Sequence, residues 1–179
     1  MPEEIEIPTE HLHEAIHKEA ESTSERWVMK VALTAALLAV FAAVSALLAG
    51  YHANEAMVEH IRASDQWAYY QAKGIKAVVL ITKSDLLRAM GKEPKEQDEG
   101  SIKRYAEEQK EIEEKARESA QAASKHLSAH NQLAMAVAIL QVAIALAAIS
   151  ALTKRRWLWY GSMCFGSIGI VIFALGVSY

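Results

Sequence analysis

Three long stretches of the sequence contain no Asp, Glu, Lys or Arg, and they constrain the fold more than any other feature. They cover residues 31–51, 131–153 and 157–179. An α-helix rises about 1.5 Å per residue, so about 20 residues cross a hydrocarbon core about 30 Å thick. Because lipid offers the backbone no hydrogen-bond partner, each stretch is predicted to be a transmembrane helix.

The residues around these stretches set the expected borders. Trp and Tyr favour the level of the lipid headgroups, and Trp27 stands just before the first stretch. We therefore expect transmembrane helices at 27–51 and 131–153, and a basic turn with the third helix at 154–179. Residues 1–26 form an acidic segment with a short helix, and this long polar lead favours an uncleaved anchor over a signal peptide.

Basic residues in short flanks tend to stay on the cytoplasmic side of a membrane. The strongest such cluster is Lys154, Arg155 and Arg156, between the second and third stretches. This cluster predicts a cytoplasmic N-terminus, with the segment 52–130 and the C-terminus on the outer side of the plasma membrane.

Composition argues against several classes of protein. The net charge is −3, which gives no basic excess for binding nucleic acid, and Cys164 is the only cysteine, so there is no disulfide framework. The three stretches hold no Asp, Glu, Lys or Arg, whereas a proton relay or an ion carrier needs such groups inside the membrane. No cofactor is expected.

The polar segment 52–130 is predicted to form two helical arms joined by a turn at 91–100, which contains Pro94 between two glycines. Mostly apolar residues recur at alternating spacings of three and four in the first arm, with Asp65 as the one defect, and more weakly in the second arm. In the first arm they are Val58, Ile61, Ala68, Ala72, Ile75, Val79, Thr82, Leu86 and Ala89, and in the second Ile102, Tyr105, Gln109, Ile112, Ala116, Ser119, Ala123 and Leu127. The predicted fold is therefore all-α, with three transmembrane helices and an extramembrane antiparallel hairpin, a coiled coil, between the first and second.

Three large aromatic residues lie close together in the first arm. At about 100° per residue, Trp67 and Tyr70 share one side of the helix while Tyr69 points away. Packing inside an oligomer explains them, and so does a docking patch for a partner protein, since aromatic residues dominate the binding energy of interfaces. A ligand site is a third interpretation.

The N-terminal segment contains the sequence H-E-x-x-H, formed by His13, Glu14 and His17. In zinc metalloproteases two such histidines bind the metal and the glutamate activates a water molecule. That chemistry also needs a third ligand and a closed pocket. A solvated acidic helix in which these residues recur by composition is the simpler interpretation.

Three further histidines are expected near the outer face of the membrane. His52 follows the first span and His130 precedes the second, so an antiparallel hairpin places them at one depth, with His126 one turn away. Paired imidazoles bind divalent metals or respond to pH. Simple tolerance of amphipathic side chains at the interface is the alternative.

Small residues predict how the spans pack, because they allow close approach of helices. Small residues recur at about four-residue spacing in the first two spans, at Ala35, Ala39, Ala43, Ala46 and Gly50 and at Ala134, Ala138, Ala143, Ala147 and Ala151. Gly161, Gly166 and Gly169 form a second close-contact face in the third span. Gln141, a polar residue near the middle of the second span, is expected to hydrogen-bond across helices.

Four segments of the sequence resemble one family: HLHEAIHKEAE…SERW, YHANEA, SDQWAYYQAKGIKA and RRWLWY. They are similar to the bacterial membrane proteins grouped as domain of unknown function 4337, over nearly the whole chain. The resemblance implies a bacterial membrane protein with this three-span layout. It brings no activity, substrate or catalytic residue.

These observations favour a non-enzymatic integral membrane protein in the lipid bilayer, either a homo-oligomeric scaffold or an accessory subunit of a larger membrane complex. Trp67, Tyr69 and Tyr70 would be its partner-binding residues. The alternatives are a metal-dependent hydrolase that uses the H-E-x-x-H sequence, and an oligomeric channel, for which Gln141, Ser45 and Thr34 offer the polar groups.

Overall fold

The computed structural model describes residues 9–178, with side chains from Arg26 onward, and the regular structure of this part is entirely helical. It consists of α1 (Thr9–Ala89), α2 (Glu96–Thr153) and α3 (Arg156–Val177). The all-α prediction is confirmed. Each helix is long and apolar enough, judged by length and composition, to cross a membrane.

Helix α1 continues through the predicted border between the N-terminal segment and the first span. The short helix expected in residues 1–26 is part of this single helix, which begins at Thr9. Between Pro8 and Gly50 the sequence contains no proline or glycine, so nothing in the backbone favours a break.

The connection between α1 and α2 is shorter than the predicted turn at 91–100. Gly91 adopts the left-handed conformation with φ of 71°, and the N–H of Lys92 donates to the carbonyl of Leu87 at 2.9 Å. This is the glycine-containing end that terminates many helices. Helix α2 then begins at Glu96. Acidic residues in its first turn stabilise this start, since negative side chains interact favourably with the positive end of the helix dipole.

Two residues connect α2 to α3. Lys154 adopts a left-handed conformation with φ of 54°, and the hydroxyl of Ser150 donates to the carbonyl of Arg155 at 3.0 Å. The chain can therefore reverse within this basic turn.

The described chain divides into two compact units. The first comprises the described residues up to Leu48 together with Gln132–Ser178, and the second comprises Ala49–Asn131. In the first unit the buried core includes two clusters, and their buried members are Leu38, Ala42, Leu140 and Ala143, and Trp27, Val31 and Ala147.

The alanine prediction holds only in part for α2, where Ala134 and Ala138 are exposed, and it largely fails for α1. Ala143 and Ala147 are fully buried, as expected. Ala39 and Ala43, however, are exposed, and the buried face of α1 is formed by Leu38, Ala42 and other residues offset from them. The hydroxyl of Ser45 on that face donates to the carbonyl of Leu133 at 3.0 Å, a bond that the alanine face has no side chain to form.

Candidate functional site

The second unit consists of two helix segments, Ala49–Ala89 of α1 and Glu96–Asn131 of α2, which contact each other along their length. The contacts run from the pair Ala49 and His130 to the pair Arg88 and Glu99. The most buried residues of the α1 segment are small, and they are Ala49, Ala63, Ala77 and Ser84. Small side chains on this inner face allow the two helices to approach closely.

The apolar residues that were predicted to face α2 from the first arm lie on the outside instead. We call Val58, Ile61, Ala68, Ala72, Ile75, Val79, Thr82, Leu86 and Ala89 the outer stripe. All nine are exposed. Ile75, Val79 and Leu86 keep 65%, 60% and 61% of their surface accessible. The first-arm seam was therefore assigned to the wrong face of the helix.

Specific bonds explain why the inner face of α1 contacts α2. Lys73 forms an ion pair with Glu108, and the amide of Gln109 donates to the carbonyl of Tyr70 at 3.2 Å. If the outer stripe faced α2, these bonds would be lost and Lys73 would point away from its carboxylate partner. The second-arm seam, by contrast, is buried or partly buried except at Leu127, with Ile112 and Ala116 at 6% and 0% exposure.

The three aromatic residues divide as their spacing predicts. The rings of Trp67 and Tyr70 meet edge to face with centroids 5.5 Å apart. Tyr69 points elsewhere, is half exposed, and lies 5.1 Å from the ammonium group of Lys73. Trp67 and Tyr69 are therefore accessible to a partner, whereas Tyr70 is partly covered by its own chain.

Lys73 is the centre of a polar cluster that the sequence did not reveal. Its ammonium group lies between the rings of Tyr69 and Tyr105, at 5.1 and 5.2 Å from their centroids. The hydrogen bond to the Glu108 carboxylate, and then the one to Tyr69, raise the pKa of Lys73 above its ordinary value. The cation therefore stays charged and links the two helices.

Beside this cluster an open groove of about 470 Å³ lies between α1 and α2. Gly74 and Gln109 both line it, and a Cβ at Gly74 would lie 2.8 Å from the Gln109 Nε2 atom. Ile75, Val78 and Val79 line the groove and also belong to, or adjoin, the outer stripe. A glycine inside a helical pattern often marks such a close approach, and this was the available signal in the sequence.

Two of the three histidines that were predicted near the membrane face meet, but not the pair that was expected. The Nδ1 atoms of His52 and His126 are 2.9 Å apart, so the partner of His52 lies one turn from the predicted His130. The Nδ1–H of His130 donates to the carbonyl of Ala49, also at 2.9 Å. Within the described residues no three His, Cys, Asp or Glu side chains converge on one point.

The predicted close-contact glycines behave differently from one another. Gly166 and Gly169 are buried against Leu38 and Leu140, whereas Gly161 has open space where a Cβ would stand. Gln141 is exposed, and its side chain forms no hydrogen bond with another helix in the described part of the chain. The bond across helices expected for Gln141 is thus not made here, because the residue faces away from α1 and α3.

A comparison with family models gives one match, to the family described as Domain of unknown function (DUF4337), over residues 27–179. The chain belongs to this family. Among curated proteins no significant match is found, and none is found among solved structures.

Some of the candidate sites lie inside the range matched by the family and one lies outside it. It includes the aromatic residues, the histidine pair and the glycine face, all of which lie after residue 27. The H-E-x-x-H sequence of His13, Glu14 and His17 precedes the matched range, and its side chains lie outside the described part of the structure.

Proposed function

We propose that this chain is an integral membrane protein with a structural, non-enzymatic role. In this proposal α1, α2 and α3 each cross the bilayer once, and residues 52–130 form an antiparallel helical hairpin outside it. The protein would act as a homo-oligomeric scaffold, or as an accessory subunit of a larger membrane complex, and assemble through the hairpin.

The observation that carries the proposal is the exposure of the outer stripe. The segment 52–130 has 13 basic and 14 acidic residues, so it cannot lie in lipid and its apolar side chains would meet water. Contiguous apolar patches on a water-exposed surface mark interaction sites. The stripe also repeats every three and four residues over about four heptads, which is the pattern of helices that pair with other helices.

The groove and the aromatic residues extend the same surface. Ile75 and Val79 of the outer stripe line the groove, and Val78 and Tyr70 continue its wall. Trp67 stands one helical turn before Tyr70 and packs against it. A partner helix on the outer stripe would therefore also contact aromatic side chains, which contribute strongly to binding.

Assembly is tested by exchanging one apolar side chain of the stripe for a charged one. We expect Ile75→Lys to reduce the mass of the particle purified in mild detergent at native expression, or to release co-purifying proteins. Leu127→Lys is the matched control, since Leu127 is an exposed apolar residue on the other helix of the same unit. Circular dichroism verifies that both variants remain helical.

Light scattering and protein identification give the readout. A wild-type protein that purifies as a lone monomer would remove the scaffold proposal. Equal behaviour of Ile75→Lys and Leu127→Lys would show that assembly does not use the outer stripe.

The proposed orientation places the N-terminus in the cytoplasm, the hairpin and the C-terminus outside, and the spans in a bacterial inner membrane. The exposed basic turn that begins at Lys154 supports it. In a Cys164→Ser background, we expect a membrane-impermeant maleimide to label Glu93→Cys in intact spheroplasts and to label Lys154→Cys only after lysis. The reverse pattern would invert the topology.

The channel alternative loses support from the hydrogen bonds of the first unit. The hydroxyl of Ser45 is bound to a backbone carbonyl, and that of Thr34 donates to Val31 and accepts from the Trp159 indole. Only Gln141 then remains of the three polar groups. The hydrolase alternative is tested by activity on a generic protease substrate with zinc, which Glu14→Gln would abolish if the glutamate were catalytic.

A further inference from the structure

The pair formed by His52 and His126 has an arrangement that packing does not require. The two side chains come from different helices, are partly buried, and place their Nδ1 atoms 2.9 Å apart. Their ring centroids are 5.2 Å apart with the planes tilted by 36°. The ring of Tyr51 packs edge to face on His52, with centroids 5.4 Å apart.

The same separation suits two kinds of bond. With one Nδ1 protonated, the pair makes an ordinary hydrogen bond, in which one ring donates and the other accepts. With both Nδ1 atoms unprotonated, their lone pairs can bind one cation. At nitrogen–metal distances of about 2.05 Å, two such nitrogens are about 2.9 Å apart at a right angle and about 3.3 Å apart at the tetrahedral angle.

We propose that His52 and His126 form a site for a divalent transition-metal cation of the Zn²⁺, Ni²⁺ and Cu²⁺ class. Neutral imidazole is a preferred ligand of these ions, whereas Mg²⁺ and Ca²⁺ prefer oxygen. Small rotations of the two rings convert the hydrogen-bond geometry into a pair of adjacent ligand positions. Binding requires the donating ring to change its tautomer: its Nδ1 proton passes to water and its Nε2 atom takes up a proton from water, so both imidazoles stay neutral and no net proton is released.

The site has two protein ligands, and this determines how tightly it can hold a cation. No third His, Cys, Asp or Glu side chain joins the pair in the described chain, so water completes the coordination shell. The Nδ1 atom of His130, the nearest candidate along α2, is occupied by the carbonyl of Ala49. We therefore expect exchangeable binding, weaker than that of a closed structural zinc site with four protein ligands.

The cation would join α1 to α2 within the second unit. Because the unfolded chain does not hold the two histidines together, binding favours the folded state. At a free cation concentration about one hundred times the dissociation constant, the ratio of folded to unfolded protein rises about a hundredfold. This stabilisation is independent of any assembly through the outer stripe.

The experiment uses the full chain with a purification tag that contains no histidine. Because the N-terminal segment has histidines of its own, the reference protein carries His11→Gln, His13→Gln and His17→Gln. Calorimetric titration in detergent with Zn²⁺ is expected to give one bound equivalent, and Mg²⁺ none.

Three single variants of this reference locate the site. We expect His52→Gln and His126→Gln to weaken Zn²⁺ binding at least tenfold and to remove the rise in melting temperature that Zn²⁺ causes. His60→Gln is the matched control, because His60 is an exposed histidine of the same unit. It should bind Zn²⁺ as the reference does.

A spectroscopic measurement keeps the test independent of how well the variants fold. With one equivalent of Cu²⁺, the paramagnetic resonance spectrum of the reference should show two coordinating imidazole nitrogens. Absence of Zn²⁺ binding by the reference, equal affinities in all variants, or a single coordinating nitrogen would each overturn the proposal.

Discussion

Gly169 offers the sharpest test of how the first unit packs. A Cβ built on this residue of α3 would lie 2.8 Å from Cγ and 2.9 Å from Cδ2 of Leu140. Leu140 is fully buried. Its Cγ atom is the branch point of the side chain, so a small movement of a flexible end cannot relieve the overlap. Gly169→Ala must therefore shift α3 or change the Leu140 rotamer.

The magnitude follows from comparing two glycines of the same helix. Overpacking a tight contact costs about 1–3 kcal/mol, and alanine is favoured over glycine inside a helix by about 1 kcal/mol. An added Cβ at Gly161 has nothing within 4 Å, so Gly161→Ala changes stability only through the higher helix propensity of alanine. Taking the difference between the two variants cancels this contribution of helix propensity. We expect Gly169→Ala to be less stable than Gly161→Ala by about 1–3 kcal/mol.

The purified protein is unfolded in mild detergent by titration with dodecyl sulfate, and circular dichroism monitors the loss of helix. Combining Gly169→Ala with Leu140→Ala provides a second check, since removing the obstructing side chain should make the double variant more stable than the sum of the single effects. Equal stability of Gly169→Ala and Gly161→Ala, or strict additivity in the double variant, would refute the proposed packing of α3 on α2.

Three further predictions concern single residues. Ser162→Ala removes the 2.7 Å hydrogen bond from its buried hydroxyl to the carbonyl of Ala143, and detergent unfolding should show a loss of about 0.6–1.7 kcal/mol. Glu108→Gln should lower the pKa of Lys73 towards its ordinary value. A raised pKa in the folded state stabilises the fold while Lys73 is protonated, and this stabilisation is lost as the pH rises through that pKa. The melting temperature of the wild type should therefore fall more steeply with pH than that of the variant above about pH 10.4. Lys154→Gly, at a left-handed position with φ of 54°, should raise stability by up to about 1 kcal/mol in the same unfolding assay.

Much of the helical plan follows from local sequence. Charge-free length identifies the apolar helices, and glycine followed by proline ends α1 at the position where the structure ends it. Spacing of about 100° per residue also places Trp67 beside Tyr70. These features depend on residues close together in the chain, so the sequence contains all the information that they need.

The choice of faces in α1 depends on residues far apart in the chain. Several faces of this helix carry residues suited to packing, and periodicity alone does not say which of them meets α2. The decision rests on pairs such as Lys73 with Glu108, which are separated by 35 positions. For the same reason depth alone did not distinguish His126 from His130, because both lie on one side of α2 and differ by one turn.

The division of residues between the two faces of α1 also bears on how the proposed hairpin gains its stability. A hairpin that folded by itself would bury its largest apolar side chains between its arms. Here the inner face uses alanine, serine and polar bridges, while Ile75, Val79 and Leu86 remain exposed. Burial of an apolar side chain of this size contributes about 1.5–3 kcal/mol. The free energy from burying these three side chains is therefore gained only when another surface covers the outer stripe, and the stability of the segment should increase with protein concentration if that surface belongs to a second copy.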